Sequence, residues 1–283
     1  MSLHQEVTNQ LISQLEKGTI PWRKDWSTSS GLPSNHITKN TYSGINIPIL
    51  WCSAAINNFQ SIQWGTRKQL RSAGIEVNKG SKETICVFFK QITNTDDQGE
   101  ETHYRMAKSF KVFNLDQTDY VQEKEVNTPF VQVINKAMDM PNALNVFYAT
   151  GEPAYSPTRD RVYMPNVTSF FTYDAYFSTL AHECSHATGN KNRLDRNLTG
   201  RFGDDSYAME ELIAELSAAF ICAENRIKYN NQHASYLAHW LKVLRMDSKA
   251  LFTVAAKAQL ASKYINDSIK LYEKESELGK LMA

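Results

Sequence analysis

The chain lacks most of the features that would tie it to a membrane or an oxidising compartment. Its four cysteines, Cys52, Cys86, Cys184 and Cys222, include no C-x-x-C pair. That spacing excludes a disulfide framework, a zinc ribbon and a thioredoxin-type redox motif. No apolar run approaches the roughly 18 residues that a membrane-spanning helix needs. The first periodic stretch is amphipathic, with Leu3, Val7, Leu11 and Leu15 interrupted by Glu6, Glu16 and Lys17, and does not read as a signal peptide. These absences lead to the expectation of a cytoplasmic protein with no membrane partner. Net charge is nearly absent too, at +1, and there are no repeats and no low-complexity tail.

What is present is material for real cores: 283 residues, 42% hydrophobic and 11% aromatic, enough for one large domain or two ordinary ones. The small net charge hides an asymmetry. Residues 1–90 hold ten Lys/Arg against five Asp/Glu, net +5, and the remainder holds 21 against 25, net −4. Farther on, Gln122-Glu-Lys-Glu-Val-Asn-Thr-Pro129 is a polar, charged run of the kind found at a domain boundary. It divides the chain into an N-terminal domain, 1–122, and a C-terminal domain, 129–283.

The densest chemistry lies in His182-Glu183-Cys184-Ser185-His186. On a helix, H-E-x-x-H puts two imidazoles at i and i+4 on one face, where they can share one Zn²⁺, with the glutamate placed as general base. Thr172 is a suitable N-cap, Asp174 to Ala187 contains no Gly or Pro, and Gly189 stands at the expected end of that helix. The longer pattern H-E-x-x-H-x-x-G-x-x-H fails at Asn192, because a neutral amide is a poor zinc ligand, so a third ligand has to come from elsewhere. Residues 205–229 read as a second long helix carrying Glu211 and Glu215 one turn apart. Glu211 is assigned as the ligand and Glu215 as the acid that orients a ligand histidine, with the swap left open. Glu210 points away from both and reads as part of a solvated stripe. Tyr207 and Tyr155 are the candidates for steadying an oxyanion, and His233 and His239 read as surface or packing residues.

The N-terminal part predicts helices at residues 3–17, near Pro48 and from Thr66 to Gly74, and a β-hairpin from Thr84–Ile92 and His103–Phe113 around a polar turn. Four of five tryptophans fall before residue 65, among cations. Rings that stack bases beside Lys/Arg that neutralise phosphates suit a sequence-tolerant single-strand binder. Trp22, Arg23, Lys24, Trp64, Arg67, Lys68, Arg71 and Lys79 form that candidate set. In the C-terminal part, Phe130–Met140 reads as a helix, Leu144–Tyr148 as a strand and Arg161–Pro165 as an edge strand to which a peptide substrate could add. Residues 231–246 and 248–275 read as helices.

The residues also carry a resemblance. Leu15-Glu-Lys-Gly-Thr-Ile-Pro-Trp22, Tyr42-Ser-Gly-Ile-Asn46, Asp160-Arg-Val-Tyr-Met-Pro165, Leu180-Ala-His-Glu183, Arg193-Leu-Asp-Arg196 and Glu210-Glu-Leu-Ile-Ala-Glu-Leu216 occur in order. They resemble the ArdC-type antirestriction proteins of plasmids and other mobile elements, whose N-terminal domain is shared with TraC-like primases. The resemblance implies an α+β chain of two domains: an α/β domain with an antiparallel hairpin sheet that binds single-stranded DNA, and a mostly helical, zincin-like metallopeptidase domain. It adds Asn46 to the DNA-contacting set and implies a protein or peptide substrate, possibly DNA-bound. Cys184, Ser185, Ala187 and Asn190 depart from the usual pattern beside the ligands. Two functions stay open: a zinc metallopeptidase acting on DNA-associated proteins, and a DNA-binding protective protein whose zinc site is structural.

Overall fold

The computed structural model describes residues 2–18, 20–23, 31–95, 101–121, 139–198, 204–230 and 237–281. Helix α1 spans Leu3–Glu16, capped by Ser2, whose hydroxyl accepts from the Gln5 amide at 3.2 Å. Its Val7, Leu11 and Leu15 are buried at helical spacing, and Gly18, with φ +73°, ends it in the left-handed conformation that glycine favours. Helix α2, Asn46–Asn57, starts two residues before Pro48. The proline therefore sits in the first turn, where its missing N–H leaves no helical bond unmade. Helix α3, Arg67–Ser72, opens with a reciprocal Thr66–Gln69 capping box.

Strands β1 (Ser34–Asn35), β2 (Gln63–Gly65), β3 (Thr84–Thr95) and β4 (Glu101–Asn114) form a sheet of order β1-β2-β4-β3. The β3–β4 pair is antiparallel from Thr84 opposite Val112 to Thr95 opposite Glu101. Strand β3 is an edge, and Asn46 covers part of it: its Oδ1 accepts from the Val87 amide at 2.7 Å and its Nδ2 donates to the Val87 carbonyl at 2.8 Å. A side-chain amide thus satisfies backbone groups that no strand reaches.

Residues 139–143 are helical, and β5 (Val146–Tyr148), β6 (Ala154–Ser156) and β7 (Arg161–Met164) form a second sheet of order β5-β7-β6. This corrects the reading of Arg161–Pro165 as an edge. Strand β7 is central, parallel to β5 and antiparallel to β6, with Val162 and Met164 wholly buried. Pro165 lies one residue past the strand and interrupts no ladder bond. The edges are β5 and β6.

Helices α4 (Tyr173–Ala187), α5 (Asp205–Glu224), α6 (Leu237–Met246) and α7 (Ala250–Leu281) complete the chain. Thr172 caps α4 by accepting from the Ala175 amide at 3.1 Å. The expected helix over 130–140 lies outside the described residues up to 138, as do His233 and the 122–129 boundary. One buried core nevertheless joins residues of both expected domains. Leu15, Trp22 and Trp51 pack with Leu180, Phe220, Trp240 and Ile265, and the ring centroids of Trp51 and Phe220 lie 5.7 Å apart. Among the described residues, no helix is long and apolar enough to cross a membrane.

Candidate metal centre and nucleic-acid surface

Small side chains let α4 and α5 approach closely. Ala181, Cys184 and Ser185 of α4 and Ala214, Ser217 and Ala218 of α5 are all fully buried, and the Ser185 hydroxyl donates to that of Ser217 at 2.9 Å. His182 and His186, one turn apart, bring their Nε2 atoms to 3.1 Å. Glu211 enters from α5, one oxygen 3.6 Å from His182 Nε2 and the other 3.5 Å from His186 Nε2. A tetrahedral ion with bonds of about 2.0–2.1 Å has ligand–ligand edges of about 3.3 Å. The three separations bracket that edge, and two imidazoles with a carboxylate suit a divalent transition metal, so these residues fit the group that the motif implies.

Behind the ligands stands a second ring of partners. Glu215 is fully buried, with Oε2 4.0 Å from His182 Nδ1; it accepts from the Tyr229 hydroxyl at 2.8 Å and from Trp22 Nε1 at 3.4 Å. Glu210 corrects the sequence reading: it is buried. Its Oε1 lies 3.2 Å from His186 Nδ1, and Arg196 clamps both of its oxygens, Nε to Oε2 at 2.9 Å and Nη2 to Oε1 at 2.7 Å. Helical periodicity put Glu210 on the outside, and the buried Arg196, reached through the loop after α4, brings it in. Gly189 makes that path possible, because a Cβ there would come within 3.0 Å of Arg196 Nη2 and 2.8 Å of Leu198. Arg196 itself was legible only as part of the matched Arg193-Leu-Asp-Arg196.

Acids surround the imidazoles and draw a cation in. Burial pulls the His186 pKa down, but the Glu210 hydrogen bond and the charges of Glu211 and Glu183 overcome it and lift it to about 9. Burial likewise raises the Glu211 carboxyl, and His182, the charge of His186 and the Tyr207 hydroxyl outweigh it, bringing it to about 2. Burial pushes the Cys184 thiol far up, so this cysteine is inert packing beside the ligands.

The site opens into a cleft of about 370 Å³ lined by Glu183, Tyr207, Leu198 and strand β6. Tyr155, on β6, donates its hydroxyl to Asp160 at 2.8 Å and accepts from Asn190 at 3.2 Å; Asp160 holds Arg193 through two bonds of 2.6 and 3.1 Å. This network fastens the β6 edge to the loop after α4. It commits the Tyr155 proton to Asp160, while the Tyr207 hydroxyl is bonded to Glu211 at the cleft wall.

Three residues of the expected DNA-contacting set are corrected. Trp22 is 3% exposed and Trp64 1%. Trp64 packs edge-on to Phe59 in a cluster with Leu50, Cys86 and Val112, and buried rings cannot stack bases. Asn46 is buried and occupied by Val87. Large amphipathic rings near cations serve a core as readily as a ligand. Arg67, Lys68, Arg71 and Lys79 are exposed on α3 and the loop that follows it; the Arg67 guanidinium lies 4.5 Å over Phe113, and Arg71 lies 3.5 Å from Glu76. Lys24 and the Arg23 side chain lie outside the described residues.

Helix-borne His182, Glu183 and His186 facing an acid-bearing helix, with a free strand beside the cleft, define a zincin-like metallopeptidase fold, and the family model of that description matches residues 138–257. A second model, the N-terminal domain of anti-restriction factor ArdC, matches residues 1–113. The metal-free crystal structure of the antirestriction protein ArdC from plasmid R388 superposes with a TM-score of 0.80 at 33% identity, covering 95% of this chain and 98% of that one. The Mn(II)-bound structure of the same protein gives 0.79 at 32%. The protein y4eC of Sinorhizobium fredii is 35% identical over 91% of this chain and 89% of its own length. The DNA primase TraC of Escherichia coli is 31% identical over 93% of this chain, which spans only 27% of the primase. The chain belongs to the ArdC family of antirestriction proteins.

Proposed function

We propose that this chain is a metal-dependent peptidase that holds single-stranded DNA through residues 1–122 and hydrolyses peptide bonds of proteins on that DNA through residues 129–283. The observation that carries the reading is the convergence of His182, His186 and Glu211 with Glu183 at the floor of one cleft. A purely structural site needs no general base beside its metal. His182, His186 and Glu211 would hold the ion, for which the donor set suits Zn²⁺; the Mn(II) in the R388 relative belongs to that protein. When bound, the metal supplies Lewis acidity, acidifying a water and polarising a carbonyl.

The chain's own residues do the rest. Glu183 takes the proton of the attacking water and delivers it to the departing amine. Glu215, behind His182, and Glu210, beside His186, fix the two rings so that their Nε2 atoms face the cleft. Strand β6 offers its free edge to an extended peptide. Tyr207 lies at the cleft wall to donate to the oxyanion. Tethering by DNA raises the local concentration of a protein bound to the same strand.

The test is cleavage of a DNA-binding protein by metal-loaded protein and by Glu183→Gln, each with and without single-stranded DNA. Cleavage by the parent alone, faster with DNA, is the expected result. Equal cleavage by Glu183→Gln would sink the mechanism. No cleavage by either, with DNA still bound, would leave a protective DNA-binding protein with a structural metal site.

A further inference from the structure

With Trp22 and Trp64 buried, the exposed rings of the N-terminal region include Phe88 and Tyr104 on one side of the β3–β4 hairpin, Phe89 on the other side against Phe252, and Tyr120 beyond it. Directly opposite residues of an antiparallel pair point to the same side. The register therefore puts Phe110 with Cys86, Phe88 with Lys108, Met106 with Lys90 and Tyr104 with Ile92 on one side. At its base this side is core, where Cys86 and Val112 pack against Leu50, Ala54 and Trp64 and Phe110 closes the cluster. Farther out, Phe88 is 44% exposed, Met106 41% and Tyr104 44%. No Asp or Glu occupies that side between Thr84 and Asn94 or between Thr102 and Val112. Lys111, on the opposite side, is paired with Glu83; among the described residues Lys90 and Lys108 have no carboxylate partner.

We propose that this stripe is the platform for single-stranded DNA, with bases stacked on Phe88 and Tyr104 and phosphates held by Lys90 and Lys108. The proposal rests on the DNA-holding part of the function given above. Same-side positions along a strand are about 6.8 Å apart, so Phe110 to Tyr104 spans about 20 Å, room for about four nucleotides. A duplex keeps its base faces to itself and cannot use such rings. A second copy of the same face would set Lys90 and Lys108 against their own equivalents, an opposition of like charges that disfavours self-pairing. Aromatic rings with unpaired cations and no acids match a polyanion that carries flat bases.

The test uses the full chain and a fluorescent oligothymidylate read by anisotropy across a salt series, with a duplex as control and light scattering at the same concentrations. Phe88→Ser with Tyr104→Ser should weaken binding by at least about fivefold per ring with little change in salt slope. Lys90→Gln with Lys108→Gln should lower the slope by about 0.7 per lost phosphate contact. Should the serine pair melt early, Phe88→Leu with Tyr104→Leu keeps apolar bulk, removes stacking and should show the same loss. Parental binding retained by both the aromatic and the lysine variants would overturn the platform while leaving DNA binding in place. No binding by the parent chain would instead remove the DNA-holding function, and the platform with it. Loss of self-association with DNA affinity intact would assign the stripe to a second copy and overturn the proposal.

Discussion

Glu215, behind the floor of the cleft, is fully buried, accepts from Trp22 and Tyr229, and lies 4.0 Å from the ring of His182. Lys108, on the hairpin, is exposed and opposite a ring that is itself 44% exposed. In the cleft each charge is fixed by another group, so losing one strands its partner in a dry interior. On the hairpin each group is solvated, so a loss there is felt only when a ligand arrives. A preorganised cleft and a solvated hairpin face thus occupy separate regions, with different sensitivities to mutation.

The sharpest way to break this contrast is Arg196→Met, which leaves the Glu210 carboxylate buried without its clamp. We expect about 3–5 kcal/mol of lost stability by chemical denaturation, and metal affinity reduced about 10- to 100-fold because Glu210 no longer steadies His186. An unchanged midpoint would mean that solvent reaches Glu210 and that the cleft is wetter than its burial implies. Next in size is Asn46→Ala. Uncovering the Val87 amide and carbonyl should cost about 2 kcal/mol and leave single-strand affinity as it was, because Asn46 is occupied inside the fold. Trp22→Phe keeps most of the ring and removes the N–H that reaches Glu215. About 1 kcal/mol of stability and less than tenfold in metal affinity should go, with the salt slope of DNA binding unmoved; a changed slope would return Trp22 to the DNA surface.

The smallest effect lies between the two regimes. The Arg193 guanidinium holds the half-exposed Asp160 carboxyl below its ordinary value, against the pull of burial. A depressed carboxyl contributes stability that is fully present above its unfolded pKa, about 3.9, and is lost as pH falls through the lower folded value. Arg193→Met should therefore flatten the acid limb of a melting-temperature profile by under about 1 kcal/mol, since solvent screens a partly exposed pair. No difference between the profiles below pH 4 would remove Asp160 as the fastener of β6.

What could be read from the sequence was whatever a single element encodes. His182, Glu183 and His186 are set by one helix and its Thr172 cap, and the hairpin, though not its register, by two β-rich runs with a polar stretch between them. What could not be read depended on which faces meet across elements. Glu210 has the same local pattern whether it meets water or Arg196. Trp22 and Trp64 sit beside cations in sequence and beneath neighbours in space. Strand β7 reads as an edge in sequence, and only its pairing with both β5 and β6 shows otherwise. Exposed hairpin aromatics went unremarked because alternating rings in a strand usually mean a buried face.

The hydrogen bond from Trp22 to Glu215 also bears on inheritance. A residue from the region that carries the ArdC N-terminal match supports the acid behind a histidine of the peptidase half, and one core joins the two. Neither half, separated by recombination, would keep its own interior closed. The match to the much longer TraC primase accordingly takes in 93% of this chain and not one half of it. In these relatives the two matched regions occur together, as a core that spans both would require.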